Sequence, residues 1–254
     1  AHDPYVPPAA SGRRHFGLKP ETSADFQLLQ SWYSGYLTRR SPREIALLRD
    51  SYDDCLAYLD EQLGRLFDEL ERRGTLANTL VILTADHGEE FGERDLFLHG
   101  MSVYRPEVHV PLIVLAPAGV SGPRSIPDLV SLRDVPATVV EQLGLADTSP
   151  FPGRSLARFW QTSGRPAVSD PFLIEAAVTA TVTCDPKLPP AYRGPVTALV
   201  RDGRVFIDNP FGRDELYDIA ADPGEAQNLV PATDGPKEYR MALDRLIRGG
   251  TARR

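Results

Sequence analysis

Apolar positions along the chain follow two different periods. Leu80-Val-Ile-Leu-Thr84 and Pro111-Leu-Ile-Val-Leu115 are short, nearly unbroken apolar runs rich in β-branched residues, the pattern of strands covered on both faces. Between Ser41 and Arg73 the period changes. Leu56, Leu59, Leu63, Leu66 and Leu70 recur at helical spacing. Ser41-Pro42-Arg43-Glu44 makes a strong helix start, with a capping serine, proline in the first turn and Glu44 completing a capping box. Gly74 supplies the stop. A shorter helix is expected near Asp25 to Tyr36, and another from Val135 to Leu143 with Asp134 at its start and Gly144 past its end. This strand–loop–strand–helix order predicts an α/β sandwich with its sheet mostly buried between helices.

The pattern changes again near Thr148–Arg154, where Ser-Pro-Phe-Pro-Gly interrupts it. Beyond that break, Phe172–Ala180, Thr197–Arg201 and Val205–Asp208 read as strands, the last two joined by a tight Asp202-Gly203 turn. A final helix is predicted from Pro236 to Ile247, with Tyr239, Leu243 and Ile247 on one face. The expected domains are therefore residues 1–150 and 151–254.

Composition narrows the classes only a little. A 254-residue chain with 42% hydrophobic and 25% charged residues can bury a core. The net charge of -7 and scattered arginines give no reason to expect nucleic-acid binding, and no apolar run approaches the length of a membrane span. The two cysteines, Cys55 and Cys184, read as free thiols, and neither they nor the termini indicate a compartment.

The candidate chemistry lies where the first strand ends. Leu80–Thr84 empties through Ala85 into Asp86-His87-Gly88, and the carboxyl end of a strand is where open α/β sheets gather ligands. Asp86 offers a hard oxygen and His87 an imidazole nitrogen, together a usable half of a divalent metal site. His99 follows in Leu96-Phe-Leu-His99-Gly100, and His2 opens the His2-Asp-Pro-Tyr-Val-Pro-Pro8 segment. Glu89, Glu90 and Glu93 read as solvated loop charges, Asp53-Asp54 as solvated helix charge, and His15 and His109 as structural or surface residues.

Four segments in this order resemble the sulfatases of the alkaline-phosphatase-like superfamily. His2–Pro8 is similar to the family's His-x-Pro segment, and Thr84-Ala-Asp86-His87-Gly88-Glu-Glu-Phe-Gly92-Glu to its second metal-ligand segment. Val110–Pro117 is similar to the strand that follows. Glu215-Leu-Tyr-Asp218 through Asn228-Leu resembles the family's C-terminal signature. The resemblance implies a small C-terminal antiparallel sheet with a helix, appended to the C-terminal part of a catalytic α/β domain. It implies that Asp86 and His87 complete a metal shell begun by an Asp pair elsewhere. His99 stands where many relatives have a sulfate-contacting Lys, and His2 resembles the His that hydrogen-bonds the sulfate.

The family's nucleophile, a formylglycine made within Cys/Ser-x-Pro-x-Arg, has no counterpart. Cys184-Asp-Pro186-Lys-Leu188 lacks the Arg and lies after the Asp-His pair, and Ser121-Gly-Pro-Arg124 has its Arg one position early. The formylglycine is accordingly expected upstream, not in this chain. The cofactor implied is one divalent metal ion, calcium first, with magnesium or manganese as alternatives. The implied function is part of a metal-dependent sulfuric ester hydrolase acting on a small sulfate ester, inactive as this piece alone. A phosphonate or phosphodiester hydrolase of the same superfamily, or an inactive binding remnant, are the rivals. Because the sheet would lack neighbours, a homo-oligomer or association with a missing N-terminal part is expected.

Overall fold

The computed structural model describes residues 2, 4–6, 16–32, 39–115, 125–145, 150–160, 170–177, 188–209, 212–230 and 236–251. His15, Cys184, the Ser121–Arg124 segment and the ends of two expected elements, residues 33–36 and 178–180, lie outside them. The chain divides into two compact units. The first is Ala1–Ser102, Pro106–Ala118 and Asp185–Tyr192; the second is Val103–Arg105, Gly119–Cys184 and Arg193–Arg254.

In the first unit, helix α1 (Ser23–Gln30) starts at a capping box made by Thr22 and Asp25. Helix α2 (Pro42–Arg72) starts where the sequence places it, with the Ser41 hydroxyl accepting from the Glu44 N–H and the Glu44 carboxylate accepting from the Ser41 N–H. Only part of its apolar surface is covered. Leu47, Leu48, Ser51 and Asp54 are buried, whereas Leu56, Leu59 and Leu66 of the leucine stripe are exposed. Asp54 is therefore not a solvated charge: its carboxylate accepts from the Phe16 N–H and pairs with Lys19. Tyr5, Leu29, Trp32, Leu47 and Leu48 form one core with Phe91, Phe97, Leu98 and Met101, and Cys55 packs against its edge without a disulfide among the described residues. Edge-on ring contacts, Tyr52 on Phe91 at 5.3 Å and Trp32 on Phe97 at 5.5 Å, tie the N-terminal segments to the loop after the first strand.

Strand β1 (Val81–Thr84) pairs antiparallel with β4 (Leu112–Leu115), in register Val81↔Leu115 to Thr84↔Leu112. Among the described residues these two form a sheet of their own, and β4 alternates, with Ile113 54% and Leu115 43% exposed. Between them lie a two-residue ladder, β2 (Glu90–Phe91) with β3 (Phe97–Leu98), and a short helix α3 (Arg105–Val108).

The second unit contains helix α4 (Asp134–Gln142) and a four-stranded antiparallel sheet, β5 (Phe172–Ala176), β6 (Val196–Arg201), β7 (Arg204–Asp208) and β8 (Glu215–Asp218), in that spatial order. A further turn of helix, α5 (Pro190–Arg193), precedes β6. Asp202 and Gly203, both at positive φ (52° and 74°), make the two-residue turn that closes β6 on β7. Helix α6 (Lys237–Thr251) buries Tyr239 and Leu243 against Leu199, Phe206 and Leu216, while Ile247 is 39% exposed. The C-terminal signature is structural here. Asn228 accepts from the Leu216 and Val230 N–H groups and donates to the Asp214 carbonyl, which fixes β8.

Candidate active site

The end of β1 delivers Asp86 with its side chain 91% exposed and its Oδ1 3.7 Å from His87 Nε2. Its own backbone N–H, and then the neighbouring His87, hold the Asp86 carboxyl below the usual range. His87 Nδ1 lies 2.8 Å from the Gly88 carbonyl, which can only accept, so Nδ1 carries the proton and Nε2 keeps its lone pair. That tautomer is the one a metal ligand needs.

Gly88 is required by close approach of two backbones. Its N–H donates to the Glu107 carbonyl at 2.6 Å, and a Cβ there would meet the Pro106 carbonyl oxygen at 1.9 Å. The Glu89 N–H donates to the same Pro106 oxygen. The loop is thereby pinned to the start of α3 before it enters β2.

His99 sits just past β3, between Leu98 and Gly100 at φ 68° and 77°. A buried leucine in the left-handed region costs of order 1–3 kcal/mol and persists only where the surroundings enforce it. The enforcement is visible: β2–β3 pairing on one side, and on the other the Glu107 carboxylate accepting from the Gly100 and Met101 N–H groups. The turn aims His99 at His87, whose ring it stacks on at 3.9 Å with the planes 22° apart. His2 reaches the same place from the other end of the unit. The Tyr5 N–H bonds the Leu29 carbonyl, Tyr5 fills the core, and the His2 ring lies 5.2 Å from His99 and 6.4 Å from His87. Asp86, His87, His99 and His2 thus converge from 98 residues of sequence.

The acidic residues nearby are not solvated, contrary to their reading from sequence. Glu89 and Glu90 are 9% and 1% exposed. Glu89 accepts from His99 Nδ1 at 3.1 Å. The Ser102 hydroxyl donates to Glu90 Oε1, while Oε2 has no hydrogen-bond partner among the described residues. Burial first, then the Glu107 charge, pushes the Glu90 carboxyl up to about 8, and burial also raises Glu107. Glu93 is partly exposed, but binds Arg49 and the Phe91 N–H. One signal for this lay in the sequence: Glu90-Phe91 and Phe97-Leu98 bracket turn residues Gly92 to Asp95 as a hairpin would, which places Glu90 beside buried Leu98.

A sequence model of the family named Sulfatase matches residues 2–145, more than half of the chain and all four site residues. The chain belongs to the sulfatase family. It is 29% identical to mouse arylsulfatase K over 85% of its length and 30% identical to the choline-sulfatase of Rhizobium meliloti over 74%. It spans about two fifths of the first of these relatives (39%) and a third of the second (34%). Its fold matches that of the phosphonate monoester hydrolase of Agrobacterium radiobacter, with a TM-score of 0.67 at 21% identity, covering 84% of this chain and 43% of that one. The sulfatase fold is alkaline-phosphatase-like, as the sequence predicts, and the family is one of sulfuric ester hydrolases that use a divalent metal.

The donors present fit such a metal in part. An exposed carboxylate and an imidazole with a free lone pair stand together, but among the described residues no group of three or more His, Cys, Asp or Glu side chains could hold an ion. Calcium takes roughly six to eight oxygen ligands, so two donors do not close a shell.

Proposed function

We propose that this chain carries one half of the active site of a metal-dependent sulfuric ester hydrolase, acting on a small sulfate monoester. The observation that carries it is the convergence of three imidazoles and one carboxylate at the end of β1, from positions the family uses for metal and sulfate. Asp86 and His87 Nε2 would hold the divalent ion, which we take to be calcium, with magnesium and manganese as alternatives. When bound it draws charge from the ester's oxygens. His2 hydrogen-bonds a non-bridging oxygen. His99 meets the leaving-group side, where its imidazolium donates to the developing oxyanion, as the ammonium of a Lys at this position would. The nucleophile comes from outside these 254 residues, because no segment matches Cys/Ser-x-Pro-x-Arg.

The likeness to a phosphonate monoester hydrolase favours a second reading, hydrolysis of phosphonate or phosphate diesters on the same tetrahedral frame. The test is hydrolysis of an aryl sulfate and an aryl phosphonate monoester by the polypeptide that carries this sequence, with and without a chelator. Loss of aryl-sulfate turnover in Asp86→Ala and His99→Ala, with native circular dichroism, is expected. Full turnover in both variants overturns the assignment, and a preference for the phosphonate selects the second reading.

A further inference from the structure

We infer that Glu89 is a positioning residue for His99: it holds the proton on Nδ1 so that all proton exchange with the substrate passes through Nε2. The inference rests on the hydrolase reading for what His99 does, but not for how His99 is held.

The Glu89 side chain is 3% exposed. A carboxylate so far from water is costly unless paired. Among the described residues its side-chain partner is His99, whose Nδ1 lies 3.1 Å from Oε2 and 3.4 Å from Oε1. A carboxylate accepts only, so this contact requires a proton on Nδ1. Among the described residues the ring's other nitrogen, Nε2, makes no hydrogen bond. Its neighbours are the rings of His87 at 3.9 Å and His2 at 5.2 Å.

Everything around the pair fixes it in place. The Glu89 N–H is tied to the Pro106 carbonyl, and Gly88 before it cannot accept a side chain. On the His99 side, the left-handed Leu98 and Gly100 are held by β2–β3 pairing and by the Glu107 carboxylate. A carboxylate buried only to balance charge would not need its partner on a strained turn. His87 is set in the same sense by a different acceptor, the Gly88 carbonyl. Both stacked rings therefore carry their protons on Nδ1 and offer Nε2. A lysine in place of His99 would need no such device, since its ammonium has no tautomer to choose. The imidazole at this position and the buried acid that orients it belong together.

The test is the tautomer of His99, read from two-bond proton–nitrogen correlations of the full chain labelled with ¹⁵N-histidine and recorded with the ring neutral. A His99→Gln spectrum identifies the signal. The wild type should show Nδ1–H. Glu89→Gln, whose amide oxygen can still accept, should keep it, whereas Glu89→Met, similar in size but without an acceptor, should move His99 towards Nε2–H. An Nε2–H tautomer in the wild type overturns the inference, as does an unchanged Nδ1–H in Glu89→Met. Where Glu89→Met does not fold, the wild-type tautomer alone decides. General acid catalysis is worth roughly 10²- to 10⁴-fold, so kcat for the favoured ester should fall at least about 10-fold in Glu89→Met with KM little changed. The expected tautomers, with no ester hydrolysis by the longer polypeptide that supplies the nucleophile, would sink the hydrolase reading and leave the pairing standing.

Discussion

Replacing Glu90 by glutamine should make the first unit more stable in mild alkali and flatten its dependence on pH. Glu90 is 1% exposed, and its carboxyl titrates at about 8 in the folded protein, against 4.5 for the ordinary group. The sign follows from proton binding. Between those two values the folded protein keeps a proton that the unfolded chain has lost, so raising the pH favours unfolding. The stability is fully present below about 4.5, and is lost as pH rises to about 8. A shift of this size corresponds to on the order of 5 kcal/mol over the whole window, and about 3 kcal/mol by pH 7. That is a large share of the roughly 5–15 kcal/mol by which a domain is stable. Glutamine keeps the carbonyl that accepts from the Ser102 hydroxyl, but cannot ionise beside Glu107. Urea unfolding at pH 5, 7 and 9, followed by the fluorescence of Trp32 in a Trp160→Phe background, reads the unit that contains Glu90. The wild-type midpoint should fall across the series, and the Glu90→Gln midpoint should fall less and exceed it at pH 9. Parallel slopes, or a variant weaker than wild type at pH 9, would refute the reasoning.

Gly88→Ala should be destabilising by roughly 1–3 kcal/mol through overpacking, because its Cβ would lie 1.9 Å from the Pro106 oxygen; chemical denaturation checks it, and the His87 and His99 imidazole resonances should shift with it. Ser41→Ala should lose about 1 kcal/mol from the start of α2, seen as a lower Tm. Leu243→Ala, removing a fully buried side chain from the second unit, should cost roughly 2–5 kcal/mol, with Trp160 fluorescence as the reporter.

The parts of the fold legible in the sequence are those set by local chemistry. The capping box at Ser41 and Glu44 starts α2 where it should, and the Asp202-Gly203 turn closes its hairpin, because each depends on residues within one turn of chain. Asp86, His87, His99 and His2 were legible for another reason: they lie in recognisable segments, and the fold brings those segments together. The leucine stripe of α2 shows that periodicity says which face is apolar, and not what covers it. Leu47 and Leu48, about two turns from the cap, meet Tyr5 and Trp32, while Leu56, Leu59 and Leu66 stand exposed. Glu89 and Glu90 were misread because a two-residue strand is too short to show a period, and burial there is decided by partners 10 to 17 positions away, His99, Ser102 and Glu107.

The buried acids explain why the loop between β1 and β4 can hold so demanding a geometry with so little regular structure. Its ladder is only two residues long, and on its own a hairpin of that size has little stability. Two buried groups supply what the ladder lacks. The aromatic core fixes Phe91 and Phe97 from below, and the Glu107 carboxylate collects the N–H groups of Gly100 and Met101. Glu90 is the cost of this arrangement. It is brought into the same low-dielectric space by its strand position, opposite Leu98, and must stay protonated there at neutral pH. The same two-residue strand that buries Glu90 has Glu89 directly before it, against His99. A loop that sets one acid against the His99 imidazole thereby buries a second.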